Sequence, residues 1–275
     1  MKRVNQTKRV RTKIVPFFSR LNDRELPYCA ILPAGYENSS QKFPVLYLLH
    51  GLFGRFDNWT TNTNLTAYAE KFSFIIVCAE GGDAWWTDNA EIENHSFESY
   101  LTEELIPGVE EKFNVRAERN SRAIAGLSMG GYGALKFGLK YPEMFFLVGS
   151  FSGALGAASW TEKDLGGRNF IAESIMSVYG AADSRTRQEN DVYKMTREIS
   201  PEKIKQMPFV YLDCGTEDFL IQSNRDYAAL LYEKKIPHEF RQLPGKHDWR
   251  FWDAQIQEFF ELSETKLSQI MVKAN

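Results

Sequence analysis

What the chain has little of narrows its class first. Among 275 residues there are three cysteines and four histidines, and no apolar run comes near the roughly 20 residues that span a bilayer. The longest apolar runs, residues 74–79 and 144–149, have the length of buried strands. Cysteines this few, odd in number and set inside apolar runs at Cys29, Cys78 and Cys214, make no disulfide framework. They read as buried reduced thiols of a cytosolic protein. Residues 1–13 carry Lys2, Arg3, Lys8, Arg9, Arg11 and Lys13 but no apolar segment of a signal peptide, so a cytoplasmic location is expected. Excess charge of one sign is missing too. Lys and Arg number 33 against 36 Asp and Glu, a net charge of −3. That balance provides no general attraction for nucleic acid or an anionic membrane, and the basic N-terminal stretch reads as a solvated edge. No closely spaced His or Cys set suggests a metal site, so neither a metal nor an organic cofactor is called for.

What is present describes a globular chain, 43% hydrophobic and 25% charged. A compact chain near this size buries roughly 75% of its unfolded surface, enough for a sizeable core. Apolar β-rich runs occupy residues 12–18, 26–32, 44–50, 74–79, 121–128, 145–151, 209–214 and 239–243. Helical patterns fall at 64–71, 96–113, 130–139, 223–234 and 254–267; in the second, Leu101, Leu105 and Val109 share one face. Near-continuous apolar strands alternating with helices predict an α/β protein with a mostly parallel central sheet and helices on both faces. No repeat or linker divides it, so residues 1–275 are expected to form a single domain. Residues 153–206 break the rhythm and are expected to cap or border the sheet.

The segment richest in chemistry is Gly126-Leu127-Ser128-Met129-Gly130, a Gly-x-Ser-x-Gly pattern. An apolar strand runs in and a helix pattern runs out, as a nucleophile elbow requires. The glycines remove side chains that would collide at so sharp a turn, and the helix N-terminus aims free N–H groups at the site. One oxyanion donor is then the Met129 N–H. The second is expected from the loop after an earlier strand, where His50-Gly51-Leu52-Phe53-Gly54 supplies the Leu52 N–H.

In this kind of site the acid and then the histidine follow the serine. Only His238 and His247 come after Ser128. His238 starts the last strand, at the wrong end of a parallel sheet. His247 follows that strand and is the candidate base; His95 precedes the elbow and reads as a loop residue. For the acid, Asp213, Glu217 and Asp218 compete at the end of the strand over 209–214, and position alone favours Asp218 only slightly.

These four segments together resemble the putative-esterase family of α/β-hydrolases, which includes tributyrin-type, feruloyl and acetyl-xylan esterases, S-formylglutathione hydrolases and mycolyltransferases. The resemblance extends over about residues 11–261. It implies an α/β-hydrolase fold, puts the acid at the fourth residue of Gly215-Thr216-Glu217-Asp218, and supports Leu52 and Met129 as oxyanion donors. Leu127 stands where S-formylglutathione hydrolases typically carry His, and their cysteine-bearing loop is absent, which weakens a glutathione thioester as substrate. Trp85 and Trp86 fall where relatives carry aromatic residues near the acyl pocket; with Trp59 they are expected to wall it. The expected activity is serine carboxylesterase action on short-chain acyl esters through Ser128, His247 and Asp218. Feruloyl or acetyl-xylan ester hydrolysis is the alternative, and acyl transfer a third route. The expected partner is a small-molecule ester, with no nucleic acid or membrane; a homo-oligomer is left open.

Overall fold

The computed structural model describes residues 10–161 and 163–274. Residues 1–9, which hold most of the basic stretch, lie outside them. Among the described residues ten strands form, in chain order β1 (Arg11–Val15), β2 (Phe18–Ser19), β3 (Arg24–Glu25), β4 (Tyr28–Leu32), β5 (Val45–Leu49), β6 (Ile75–Cys78), β7 (Arg122–Leu127), β8 (Leu147–Phe151), β9 (Phe209–Gly215) and β10 (His238–Leu243). β2 and β3 make a small separate hairpin, and the other eight join one sheet in the order β1-β4-β6-β5-β7-β8-β9-β10. From β6 across to β10 every pairing is parallel; β1 and β4 add an antiparallel edge. Edge strand β1 is guarded by charge, since Arg11 and Lys13 both reach Glu37, at 2.9 and 3.1 Å.

The uninterrupted apolar strands are explained by burial on two faces. In β5, Val45, Tyr47 and Leu49 join one core while Leu46 and Leu48 join the other. The first core is covered by α5 (Met129–Lys140) and α10 (Ile221–Glu233), the second by α2 (Leu65–Ala69) and α11 (Trp249–Ala274). Two short helices, α1 (Asn58–Asn62) and α3 (Phe97–Ser99), complete the first half with α4 (Ile106–Lys112). Between α3 and α4 the backbone widens into a π turn, Tyr100–Leu105. Pro107 follows at once and has no N–H to donate back into that turn. The helix expected over 96–113 is therefore present but not uniform.

The interval 153–206 holds four helices that apolar periodicity did not reveal: α6 (Asn169–Tyr179), α7 (Arg185–Asn190), α8 (Val192–Arg197) and α9 (Pro201–Gln206). Three start on side-chain caps, with Ser184, Asp191 and Ser200 each accepting backbone N–H groups of the first turn. α11 starts earlier than its apolar pattern does, because the Asp248 carboxylate accepts the Phe251 N–H at 3.0 Å. Cys29, Cys78 and Cys214 are buried and free; Cys29 and Cys78 face each other across β4 and β6. Among the described residues, no helix is long and apolar enough to cross a membrane.

Packing of α11 on the sheet is close at Gly149 in β8, where a Cβ would lie 2.5 Å from the Phe259 ring and 2.9 Å from Ala125. Gly149→Ala is expected to destabilise the protein by about 1–3 kcal/mol through overpacking. In urea this reads as a lower midpoint at unchanged slope.

Candidate active site

The candidate residues come from four different loops, all at the carboxyl ends of parallel strands, where open α/β sheets gather their ligands. Ser128 sits between β7 and α5 with φ 53° and ψ −115°, a backbone conformation that non-glycine residues rarely adopt. Close approach of neighbouring segments enforces it. A Cβ at Gly126 would lie 2.5 Å from the Gly130 carbonyl, and one at Gly130 would lie 2.5 Å from the Leu49 carbonyl oxygen. The Ser128 N–H donates to Phe151 O at 2.9 Å, and its carbonyl accepts from Tyr132 and Ala154, both at 3.0 Å.

His247 and Asp218 meet that serine. His247 Nε2 lies 3.0 Å from Ser128 Oγ, and His247 Nδ1 lies 2.9 Å from Asp218 Oδ2. The two loops are stitched by backbone, with Glu217 N–H donating to Gly245 O at 2.9 Å and Thr216 N–H to Leu243 O at 2.8 Å. Asp218 is buried, and its other oxygen accepts the Leu220 N–H at 2.8 Å. Burial alone would raise its carboxyl; His247, as hydrogen-bond donor and nearby charge, outweighs this and holds it below the usual range. The rings of Phe219 and Trp252 lie 4.8 and 4.9 Å from the imidazole and fix its plane from two sides. Asp213 points elsewhere: it is fully buried inside β9, and burial pushes its carboxyl well up. Glu217 is exposed beside Lys246. His238 opens β10 and turns Nδ1 to Ile236 O at 2.8 Å, away from the serine.

Met129 is the first residue of α5, and Leu52 lies across the cavity in the loop after β5. Among the described residues neither N–H has a protein acceptor. The Leu52 loop is held at both ends. The Gly81 N–H donates to His50 Nε2 at 3.0 Å, which leaves Nδ1–H to donate to Gly51 O at 2.8 Å and fixes the tautomer. The Phe53 N–H donates to Asp83 Oδ1 at 2.6 Å.

A cavity of about 490 Å³ opens over Ser128. Trp85 lies on its wall and donates its indole N–H to Ser174 Oγ of α6 at 2.9 Å. The expectation that Trp59 and Trp86 share that wall is corrected by the structure, which buries both behind it. Trp59 donates to Leu49 O at 3.0 Å and packs edge-on against Trp249. Trp86 donates to His50 O at 3.3 Å, and its ring is so tight on Gly81 and Gly133 that a Cβ at either would lie within 2.7 Å of it. In their place stand Trp160, Arg168, Phe170, Phe219, Trp249 and Trp252. Phe219 and Trp249 adjoin the acid and base candidates in the chain, a signal that could have been used; Trp160, Arg168 and Phe170 lie where the sequence has no periodic signal.

Residues 19–261 match the family model described as "Putative esterase". The chain belongs to that family. It is an ester hydrolase with the α/β-hydrolase fold. It is 28% identical over 256 residues to an acetyl esterase of Caldicellulosiruptor saccharolyticus, covering 90% of this chain and 96% of that one. It is 30% identical over 240 residues to an esterase of Mycobacterium tuberculosis, covering 80% of this chain but only 52% of that longer protein. A solved ferulic acid esterase superposes with a TM-score of 0.79 at 25% identity, over 94% of this chain and 99% of the other.

Beneath the cavity wall of this esterase lies a buried ion pair. Lys136 of α5 donates to Glu98 Oε2 at 2.8 Å, while Lys140 and Tyr141 hold Glu98 Oε1, both at 2.8 Å. Burial would raise the Glu98 carboxyl, but the two ammonium groups outweigh it and hold it at about 2. Burial pushes Lys136 down to about 8 in spite of Glu98, so at neutral pH both are charged. Because the folded value for Glu98 lies below its ordinary 4.5, its stabilisation is complete above that pH. It is lost as pH falls towards 2, by about 3 kcal/mol in all. Glu98→Gln is expected to flatten the acid limb of stability below pH 4.5, measured as urea midpoints across that range.

Proposed function

We propose that this esterase is a carboxylesterase for short-chain acyl esters and works through a covalent acyl-enzyme on Ser128. The observation that carries the reading is the series Asp218, His247, Ser128, with contacts of 2.9 and 3.0 Å. In it, His247 Nε2 takes the Ser128 proton as Oγ bonds to the ester carbonyl carbon. The Leu52 and Met129 N–H groups hold the resulting oxyanion. The intermediate collapses, the carbon–oxygen bond to the alcohol breaks, and His247 returns the proton to the leaving oxygen. Water, deprotonated by the same His247, then attacks the acyl-enzyme and frees acid and serine. Asp218 holds the Nδ1–H tautomer and stabilises the imidazolium. The acetyl esterase relative supports a small acyl group. The reading requires no cofactor and no partner beyond a small-molecule ester. Three buried thiols support a cytoplasmic setting.

One observation favours a second reading, an aromatic acyl group such as ferulate. The cavity of about 490 Å³ exceeds what an acetyl group needs, and seven Phe and Trp side chains stand on its walls. Residues 153–206 act in either case as a cap, contributing Ala154, Trp160, Arg168, Phe170 and Ile171. Beyond Phe53 a second cavity of about 690 Å³, with Arg24, Arg55, Glu80, Asp83 and His95 on its walls, leaves room for a polar alcohol portion.

A fluorophosphonate is expected to label Ser128, and Ser128→Ala or His247→Ala to lower kcat by roughly 10⁴-fold or more without unfolding. Asp218→Asn is expected to cost about 10⁴-fold. Folded Ser128→Ala with near-normal turnover would sink the mechanism. Values of kcat/KM for p-nitrophenyl acetate, p-nitrophenyl octanoate and methyl ferulate decide the acyl group: acetate ahead supports the first reading, ferulate ahead the second.

A further inference from the structure

The reaction just described leaves Lys136 without a part, although its position is among the most constrained in the molecule. It lies on α5, the helix that begins at the serine, and its side chain is fully buried. An ammonium there is costly to bury unless every proton is used. All three are used. One goes to Glu98, one to the Trp86 carbonyl at 2.6 Å and one to Thr87 Oγ1 at 2.7 Å. Thr87 Oγ1 in turn donates to the Trp85 carbonyl at 2.9 Å. The ammonium thus holds both tryptophan carbonyls, one directly and one through the threonine hydroxyl.

The turn so held is strained. Trp85 and Trp86 both have φ 52°, a region that bulky L residues seldom adopt and hold only at a cost. Such a turn persists only where its surroundings dictate it. Its two indoles serve two parts of the site. Trp85 stands on the cavity wall and bonds the cap through Ser174, while Trp86 bonds the His50 carbonyl, at the root of the loop that carries Leu52.

We infer that Lys136 is a positioning residue for the esterase reaction: its buried ammonium clamps the Trp85–Trp86 turn and thereby sets the acyl wall. The inference rests on the proposed role of Ser128. Its physical content is that a side chain of similar length without donors leaves the Trp86 carbonyl unpaired and lets the turn relax. Lys136→Met serves for this, because Lys140 and Tyr141 still partner Glu98.

The test measures kcat and KM for p-nitrophenyl acetate and octanoate in Lys136→Met and Thr87→Val, each alone and combined with Trp85→Ala. Folded Lys136→Met is expected to keep Ser128 reactive to fluorophosphonate yet shift the octanoate-to-acetate ratio of kcat/KM by about tenfold. Misplacements of an ångström cost up to ~10²-fold. Thr87→Val is expected to shift it the same way but less. In the Trp85→Ala background the shift should vanish, since the wall it acts through is gone. An equal fall for both substrates, or a shift undiminished without Trp85, overturns the inference. Should Lys136→Met fail to fold, an unchanged ratio in folded Thr87→Val overturns it alone. Hydrogen exchange gives a readout independent of turnover. The Thr87 amide, bonded to Ala84 O at 3.0 Å, is expected to exchange about tenfold faster in Lys136→Met. Unchanged exchange removes the clamp, whereas an unlabelled wild-type Ser128 removes the proposed reaction and leaves the exchange result to judge the clamp.

Discussion

A serine held in a backbone conformation it disfavours is the constraint on which the site depends. Ser128 at φ 53° costs of order 1–3 kcal/mol and does not stay there unaided. The strand before it and the helix after it are each buried on the sheet, and they meet with no space for side chains at Gly126 and Gly130. Contacts with Leu49, Phe151 and Ala154 then tie the elbow to β5, β8 and the start of segment 153–206. The strain is offset by the two hydrophobic cores into which the strand and helix of the elbow are packed. α5 starts at the next residue, so its unpaired N–H groups face the place where negative charge would develop.

The other components are less rigid by origin and are made rigid by hydrogen bonding. Asp218 and His247 lie on separate loops, yet β9 and β10 pair in parallel up to the residues just before them. Backbone bonds continue past the strand ends, so the loops leave together and the carboxylate arrives under the imidazole. The Leu52 loop is fastened by polar side chains, His50 and Asp83, and by the indole of Trp86. Where the sheet cannot reach, hydrogen-bonded polar side chains, buried at His50 and exposed at Asp83, define the geometry. The Lys136–Glu98 cluster has this character, joining α5, α3 and the tryptophan turn in one connected network.

Segment 153–206 has a different logic. Its helices are short, and three of the four are capped, by Ser184, Asp191 and Ser200. They place Phe170 at the mouth of the cavity, 5.8 Å from Phe53, and set Arg168 over Phe219 at 4.4 Å. The outer wall of the pocket is therefore built from residues the sheet does not constrain, and the inner wall from residues it does. Variation in acyl or alcohol preference at constant chemistry has its natural place in that outer wall.

The sheet, its two-faced burial and the chain order of Ser128, Asp218 and His247 were legible in the sequence, because strand periodicity and the strand-to-helix elbow are local patterns. The local pattern alone could not separate Asp213, Glu217 and Asp218; resemblance to a family did so, and the three-dimensional arrangement shows only Asp218 at hydrogen-bonding distance from His247. The fate of the three tryptophans was not legible. Trp59, Trp85 and Trp86 look alike in the chain, but Gly81, Gly133 and Trp249 decide that two are buried behind the wall and one stands on it. Lys136 was equally hidden, since an isolated lysine in an amphipathic helix reads as solvent-facing until Glu98, Trp86 and Thr87 are brought around it. Periodicity records which face of an element is buried. Only the packing of distant segments decides what each buried side chain touches, and so which of them shape the pocket.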